Sequence, residues 1–228
     1  MKPLVSHVEE LRRRLLFIIY ALFIGTIFGV LLSPLIIKSI IVDLSLQNML
    51  VSLSPTEVVY VQIKVGFLFA AVLAFPIIFY HIIAFLKPGI TAREKSMLVY
   101  FLPSAIGLFV IGVYFGYRLF IRIVLYFLGN LSKMILVYNL WSLDNFITFL
   151  VVTCIGIGLV FELPLVILIL KLLKIVNRGF LESKRAHVYV LIFILAAVIT
   201  PPDVITQILI GIPLIALYEI SIFLLRFV

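Results

Sequence analysis

Only ten of the 228 residues are acidic, and one of them stands in an unusual place. Glu162 lies in Gly156-Ile157-Gly158-Leu159-Val160-Phe161-Glu162-Leu163-Pro164, with apolar residues on both sides. A carboxylate in the middle of a lipid-embedded helix costs about 2.5–3.5 kcal/mol, so such a residue is a functional candidate by default. Two chemical roles fit: a proton relay, or an interhelical polar contact with a partner or substrate. The structural alternative is a protonated acid, or one hydrogen-bonded to a carbonyl freed by a nearby proline.

A second group of charges sits at segment ends. Glu9-Glu10-Leu11-Arg12-Arg13-Arg14 precedes the first apolar run, and Glu94 follows the second. As plain structure, acids at a helix start favour the helix dipole, and Glu10 can pair with Arg13 or Arg14. As function, carboxylates from two segments would converge on one patch able to hold guanidinium groups bidentately. Lys64 reads as a snorkelling residue. His81 reads as a satisfied residue near a helix end. Asp203 is placed to cap the last helix, and Gln207 flanks the same turn. Glu219 is a last-turn partner for Arg226 or Lys2, or a second membrane-buried acid. The sequence has no HExxH, GxSxG, P-loop or GxGxxG, and no histidine pair at metal-ligand spacing. Neither an enzyme, a cofactor nor a metal site is expected. The lone Cys154 lies in an apolar run and cannot form an internal disulfide.

The elements that must position these groups are membrane spans. Hydrophobic residues make up 65% of the chain, charged residues 12%, and mean hydropathy is +1.35. Soluble domains carry about 25% charged residues, so the surplus apolar surface has to face lipid. Apolar runs of roughly 20 residues are needed to cross about 30 Å. Six are expected, at about 15–32, 58–86, 96–120, 144–170, 187–200 and 204–224. All lie in one transmembrane domain covering 1–228, without a cleavable leader. Ser33-Pro34 is expected to end the first run, with residues 35–57 as a mixed loop on the membrane surface. A second interfacial stretch covers about 121–143. Pro76, Pro103, Pro164 and Pro213 fall inside spans and should kink them. The fold class is therefore all-α, a polytopic bundle, kinked and concave.

Charge sets the orientation. Of 18 Lys and Arg, thirteen fall on the side of the N-terminus and four (Lys38, Arg118, Arg122 and Lys133) on the other, with Lys64 inside a span. By the positive-inside rule both termini are cytoplasmic. The apolar core of the fifth run, Val188 to Thr200, measures only about 20 Å. Its shortness implies tilt or a locally thinned bilayer.

Four segments together resemble the TatC family, the multi-spanning component of the twin-arginine protein translocase. Ser6-His7-Val8-Glu9-Glu10-Leu11-Arg12-Arg13-Arg14-Leu15 is similar to its N-terminal signature. Ala84-Phe85-Leu86-Lys87-Pro88-Gly89-Ile90 with Arg93-Glu94-Lys95 resembles its first cytoplasmic loop. Phe161-Glu162-Leu163-Pro164 resembles its fourth-helix motif, and Thr200-Pro201-Pro202-Asp203-Val204 with Gln207 its last periplasmic turn. The resemblance implies a signal-peptide receptor in the inner (cytoplasmic) membrane, without enzymatic turnover and driven by the proton-motive force. Glu10 and Glu94, with Arg12 and Phe85 nearby, would bind the twin-arginine motif of folded cargo. Glu162 and Gln207 would face the apolar part of the signal peptide and the single-span partners TatB and TatA. Pro201, Pro202 and Asp203 would form a structural turn, and a homo-oligomer in contact with lipid is implied. The alternative from the residues alone is a proton-coupled small-solute transporter, which predicts an internal repeat that the sequence lacks.

Overall fold

The computed structural model describes residues 4–86, 98–134, 136, 139–199 and 204–226, and only the backbone of 4–8, 86, 98 and 99. Glu94, Pro201, Pro202 and Asp203, all singled out above, lie outside the described residues. Nine α-helices and one two-stranded ribbon account for nearly all of what is described. They are α1 (Leu4–Asp43), β1 (Leu50–Val51), α2 (Glu57–Leu86), α3 (Leu98–Phe115), α4 (Arg122–Met134) and β2 (Trp141–Ser142). The remainder are α5 (Leu143–Val160), α6 (Leu163–Leu172), α7 (Arg178–Ser183), α8 (Arg185–Ile199) and α9 (Val204–Leu224). The chain divides into two compact units, residues 1–47 with 52–106, and residues 48–51 with 107–228.

In the first unit α1 and α2 pack along their lengths because both carry stripes of small residues. Gly25, Gly29 and Ser33 recur every fourth position on α1, as do Gly66, Ala70 and Ala74 on α2. A methyl group on Gly29 would lie 2.5 Å from the Gly66 carbonyl oxygen. Two backbones in such contact gain dispersion and exclude lipid, which drives helix pairing where the hydrophobic effect is absent. The opposite face of α1 presents Tyr20, Phe23, Ile27 and Leu31, all exposed and suited to lipid.

The expected break at Ser33-Pro34 does not occur. α1 runs unbroken for 40 residues through Pro34, about 60 Å at the usual rise. Proline has no N–H to offer the carbonyl four residues back, which is that of Val30. The buried Ser33 hydroxyl donates to that carbonyl at 2.7 Å instead. Residues 35–43 therefore belong to the helix and not to a loop. α1 closes at Ser45, whose φ of 57° lies in the left-handed region, with Leu46 N–H bonded to Ile41 O at 2.9 Å.

The start of α2 is held by the Glu57 carboxylate, which supplies one half of a capping-box arrangement. In Ser54-Pro55-Thr56-Glu57 the buried Glu57 carboxylate accepts from the backbone N–H groups of Leu53 and Ser54 and from the Ser52 hydroxyl.

In the second unit, β1 pairs in parallel with β2, Leu50 opposite Trp141 and Val51 opposite Ser142. α3 passes through a π-helical turn at Gly116–Ile121 into the amphipathic α4, which occupies the expected interfacial stretch. Phe120, Val124, Ile157, Ile192, Ile210 and Leu214 are among the buried apolar residues that form the core of this unit. The Tyr218 hydroxyl donates to Leu181 O, and Lys171 Nζ to Leu225 O, tying α7 and α6 to α9.

Candidate functional site

The N-terminal group is assembled by the α1–α2 pair. Glu10 and Arg14 stand one turn apart on α1. Arg14 donates to Glu10 Oε1 from Nη2 at 2.7 Å and from Nε at 3.2 Å. Across the helix pair, Arg14 Nη1 lies 3.3 Å from His81 Nδ1 on α2. The His81 ring also packs against Phe17, with centroids 5.3 Å apart, and against Tyr80 at 5.5 Å. Phe85, 37% exposed, is one turn beyond His81 on α2. α1 and α2 run antiparallel, so Glu10 and Phe85 extend from the Arg14–His81 contact towards the same end of the unit. Arg12 and Arg13 are exposed beside them. Below this cluster Phe17, Pro76, Ile77, Tyr80 and His81 line an open apolar groove of about 390 Å³. The structure thus brings Glu10, Arg12 and Phe85 to one helix-pair end. Arg14 and His81 are part of the same cluster; their charge and ring were visible in the sequence, but their meeting was not.

The second candidate group lies at a helix break. The fourth apolar run is split into α5 and α6 at Phe161-Glu162, because Pro164 stands at the start of α6 and cannot continue the hydrogen-bond ladder. The ladder tightens there from Phe161 N–H to Ile157 O at 3.0 Å to Glu162 N–H to Leu159 O at 3.1 Å. Glu162 occupies the N-cap of α6 without using its side chain as a cap. The residue is 4% exposed, and neither carboxylate oxygen has a hydrogen-bond partner among the described residues. Gly112 and Gly158 allow α3 and α5 to close on one another, since a methyl group on Gly112 would lie 2.9 Å from the Gly158 Cα. Phe109, Phe115 and Phe161 surround the crossing. Thr153 Oγ1, buried on α5, is likewise without a partner among the described residues. An acid withdrawn from water and left without partners is costly, and function is the usual reason to keep one.

Gln207, half-buried on α9, donates from Nε2 to the Phe193 carbonyl of α8 at 2.9 Å. Glu219 takes neither of its expected roles. It binds the Arg185 guanidinium through both oxygens at 2.9 Å and accepts from the Tyr189 hydroxyl at 2.7 Å. Its side chain is 37% exposed, so it is not a buried acid. Arg226 instead stacks 5.5 Å above the Phe223 ring.

Five helical stretches are long and apolar enough to cross a bilayer, namely α1, α2, α3 continued through the π-helical turn into α4, α5 with α6, and α9, and α8 adds a sixth, shorter apolar helix. Together they define an all-α, multi-pass membrane protein with one acid buried at a helix break. The chain belongs to the TatC family: the model described as "Sec-independent protein translocase protein (TatC)" matches residues 6–213. The Sec-independent protein translocase protein TatC of Listeria innocua is 34% identical over 220 residues, covering 96% of this chain and 89% of that protein. The protein of the same name from Aquifex aeolicus is 34% identical, covering 97% and 94%. A crystal structure of twin arginine translocase receptor TatC superposes with a TM-score of 0.86 at 33% identity, covering 97% of this chain and 98% of that one. The family is a protein translocase component, which leaves the small-solute transporter alternative without support.

Proposed function

We propose that this chain is the signal-peptide receptor and core subunit of a twin-arginine translocase, recognising the arginine pair of folded cargo for export driven by the proton-motive force. In this reading it spans the inner (cytoplasmic) membrane with both termini cytoplasmic, as the thirteen-to-four distribution of basic residues favours. Glu10 is the acceptor for a cargo guanidinium, with Glu94 as the second carboxylate and Arg12 and Phe85 at the rim. Glu162 and Gln207 face the partners, the single-span TatB and TatA, and several copies of the chain assemble in the receptor complex.

The observation that carries the reading is the Glu10 carboxylate. It is partly exposed at the end of the α1–α2 pair and already holds a guanidinium at 2.7 Å. A carboxylate that engages Nε and Nη2 of one arginine is geometrically fit for another, whereas an ammonium offers no planar fork.

The test is binding of a twin-arginine signal peptide to the purified protein in detergent, beside the same peptide with both arginines changed to lysine. Preference for arginine in the native protein, lost in Glu10→Gln and Glu94→Gln, is the expected result. Equal binding of the two peptides by the native protein would refute the reading.

A further inference from the structure

The carboxylate expected to receive a cargo arginine is engaged by an arginine of the chain itself. Arg14 reaches Glu10 Oε1 with two of its nitrogens, at 2.7 and 3.2 Å, and turns the third towards His81 Nδ1 at 3.3 Å. Glu10 stands on the same helix four residues earlier, while His81 belongs to α2, 67 residues away in the chain. Both members of the ion pair are partly withdrawn from solvent, with side-chain exposures of 22% for Arg14 and 31% for Glu10. The guanidinium therefore sits between the Glu10 carboxylate and the Nδ1 ring nitrogen of His81, at the place where a foreign guanidinium would bind.

We propose that Arg14 is a specificity-determining residue: an internal guanidinium that occupies Glu10 and must be displaced towards His81 by the arginine of a signal peptide. The inference rests on the receptor reading above. Its physical content is a competition. A ligand that only matches the Coulomb attraction of Arg14 gains nothing by exchange, because the i,i+4 pair is already in place on a formed helix. A cargo arginine matches the planar fork and adds the contacts of its own backbone and neighbours. A cargo lysine offers one point charge and loses the two-nitrogen geometry. Arg12 and Arg13, exposed on the same turn, add positive charge that disfavours both ligands equally. His81 completes the exchange by giving the displaced guanidinium an acceptor, so that Arg14 is not left without a partner among the rings of Phe17 and Tyr80.

The experiment compares arginine-pair and lysine-pair signal peptides on the purified full chain carrying Arg14→Gln, Arg14→Lys or His81→Phe, with thermal unfolding followed in parallel. Arg14→Gln is expected to tighten both peptides. The arginine peptide should gain about two- to fivefold, the usual range for a partly exposed ion pair, and the lysine peptide more, so that the ratio between them shrinks. Arg14→Lys, which keeps the charge and the fold but loses the fork, should fall between Arg14→Gln and the native protein. His81→Phe should weaken the arginine peptide by a similar factor, because the displaced Arg14 then has no acceptor. If Arg14→Gln and Arg14→Lys weaken the arginine peptide as Glu10→Gln does, or leave the arginine-to-lysine ratio unchanged, Arg14 is a helix-stabilising partner and the inference fails. That failure differs from failure of the receptor reading, in which the native protein itself would not distinguish the two peptides.

Discussion

Ser33 and Glu162 are both polar side chains withdrawn from solvent, and the chain treats them in opposite ways. Ser33 spends its hydroxyl on the Val30 carbonyl that Pro34 leaves open. Ser33→Ala should therefore orphan a buried acceptor and lower stability by about 1–3 kcal/mol, seen as a lower unfolding midpoint in detergent. Ser132→Ala is the matched control, because the Ser132 hydroxyl bonds Leu128 O on a helix without proline. Its loss should stay within about 0.5 kcal/mol, and equal losses at the two sites would refute the rescue of Pro34. Glu162, by contrast, has no hydrogen-bond partner among the described residues. Glu162→Gln and Glu162→Leu are expected to keep or raise the unfolding midpoint while export of a twin-arginine reporter falls. A large loss of stability in both variants would instead give the carboxylate a structural role. Glu162 was legible from sequence because an acid inside an apolar run is conspicuous whatever the fold. The Arg14–His81 contact was not, since nothing local specifies which residue 67 positions away will face a given side chain.

Helix existence followed from apolar runs, and the errors came where one side chain changes the rule for a neighbour. Pro34 after a serine reads as a stop, yet the preceding hydroxyl supplies the bond that proline removes. The start of α2 at Ser54-Pro55-Thr56-Glu57 is within reach of pattern reading, because a serine followed three residues later by a glutamate marks a helix start. The break at Glu162 followed the opposite logic, with Pro164 at the start of α6 and an acid that does not cap it. The π-helical turn at Gly116–Ile121 left no signal in the hydropathy pattern. Pairing of α1 with α2 was written in Gly25, Gly29, Gly66 and Ala70, which look like ordinary apolar filler until two helices are laid together. Gly29→Ala should disrupt that pair, since the added methyl would meet Gly66 backbone at 2.5 to 3.0 Å. Gly107→Ala on α3 meets nothing within 4 Å, and should be neutral or stabilise by about 0.5–1 kcal/mol through helix propensity. Crosslinking of cysteines placed on α1 and α2 would report the difference, and an intact crosslink in Gly29→Ala would contradict close backbone packing.

Across the whole molecule the helices are unequal in length. α8, at 15 residues, reaches about 22 Å, and α2, at 30 residues, about 45 Å. The short helix requires tilt or a thinner bilayer around it. Insertion of four leucines into the middle of α8 should relieve that mismatch and reduce export, while leaving binding of the signal peptide at the α1–α2 pair unchanged. Export at the native level would show that thinning plays no part. The continuity of α1 through Pro34 has a mechanical consequence of its own. A helix of about 60 Å without a hinge is a stiff lever, so a rotation of a few degrees at the Glu10 end displaces Asp43 by several ångströms. Seven residues beyond Asp43 the chain enters β1, which is hydrogen-bonded to β2 directly ahead of α5. Chain connectivity thus carries any motion of the far end of α1 into the segment that leads to the strand ribbon. A hinge at residue 34 would have absorbed that motion within the bilayer.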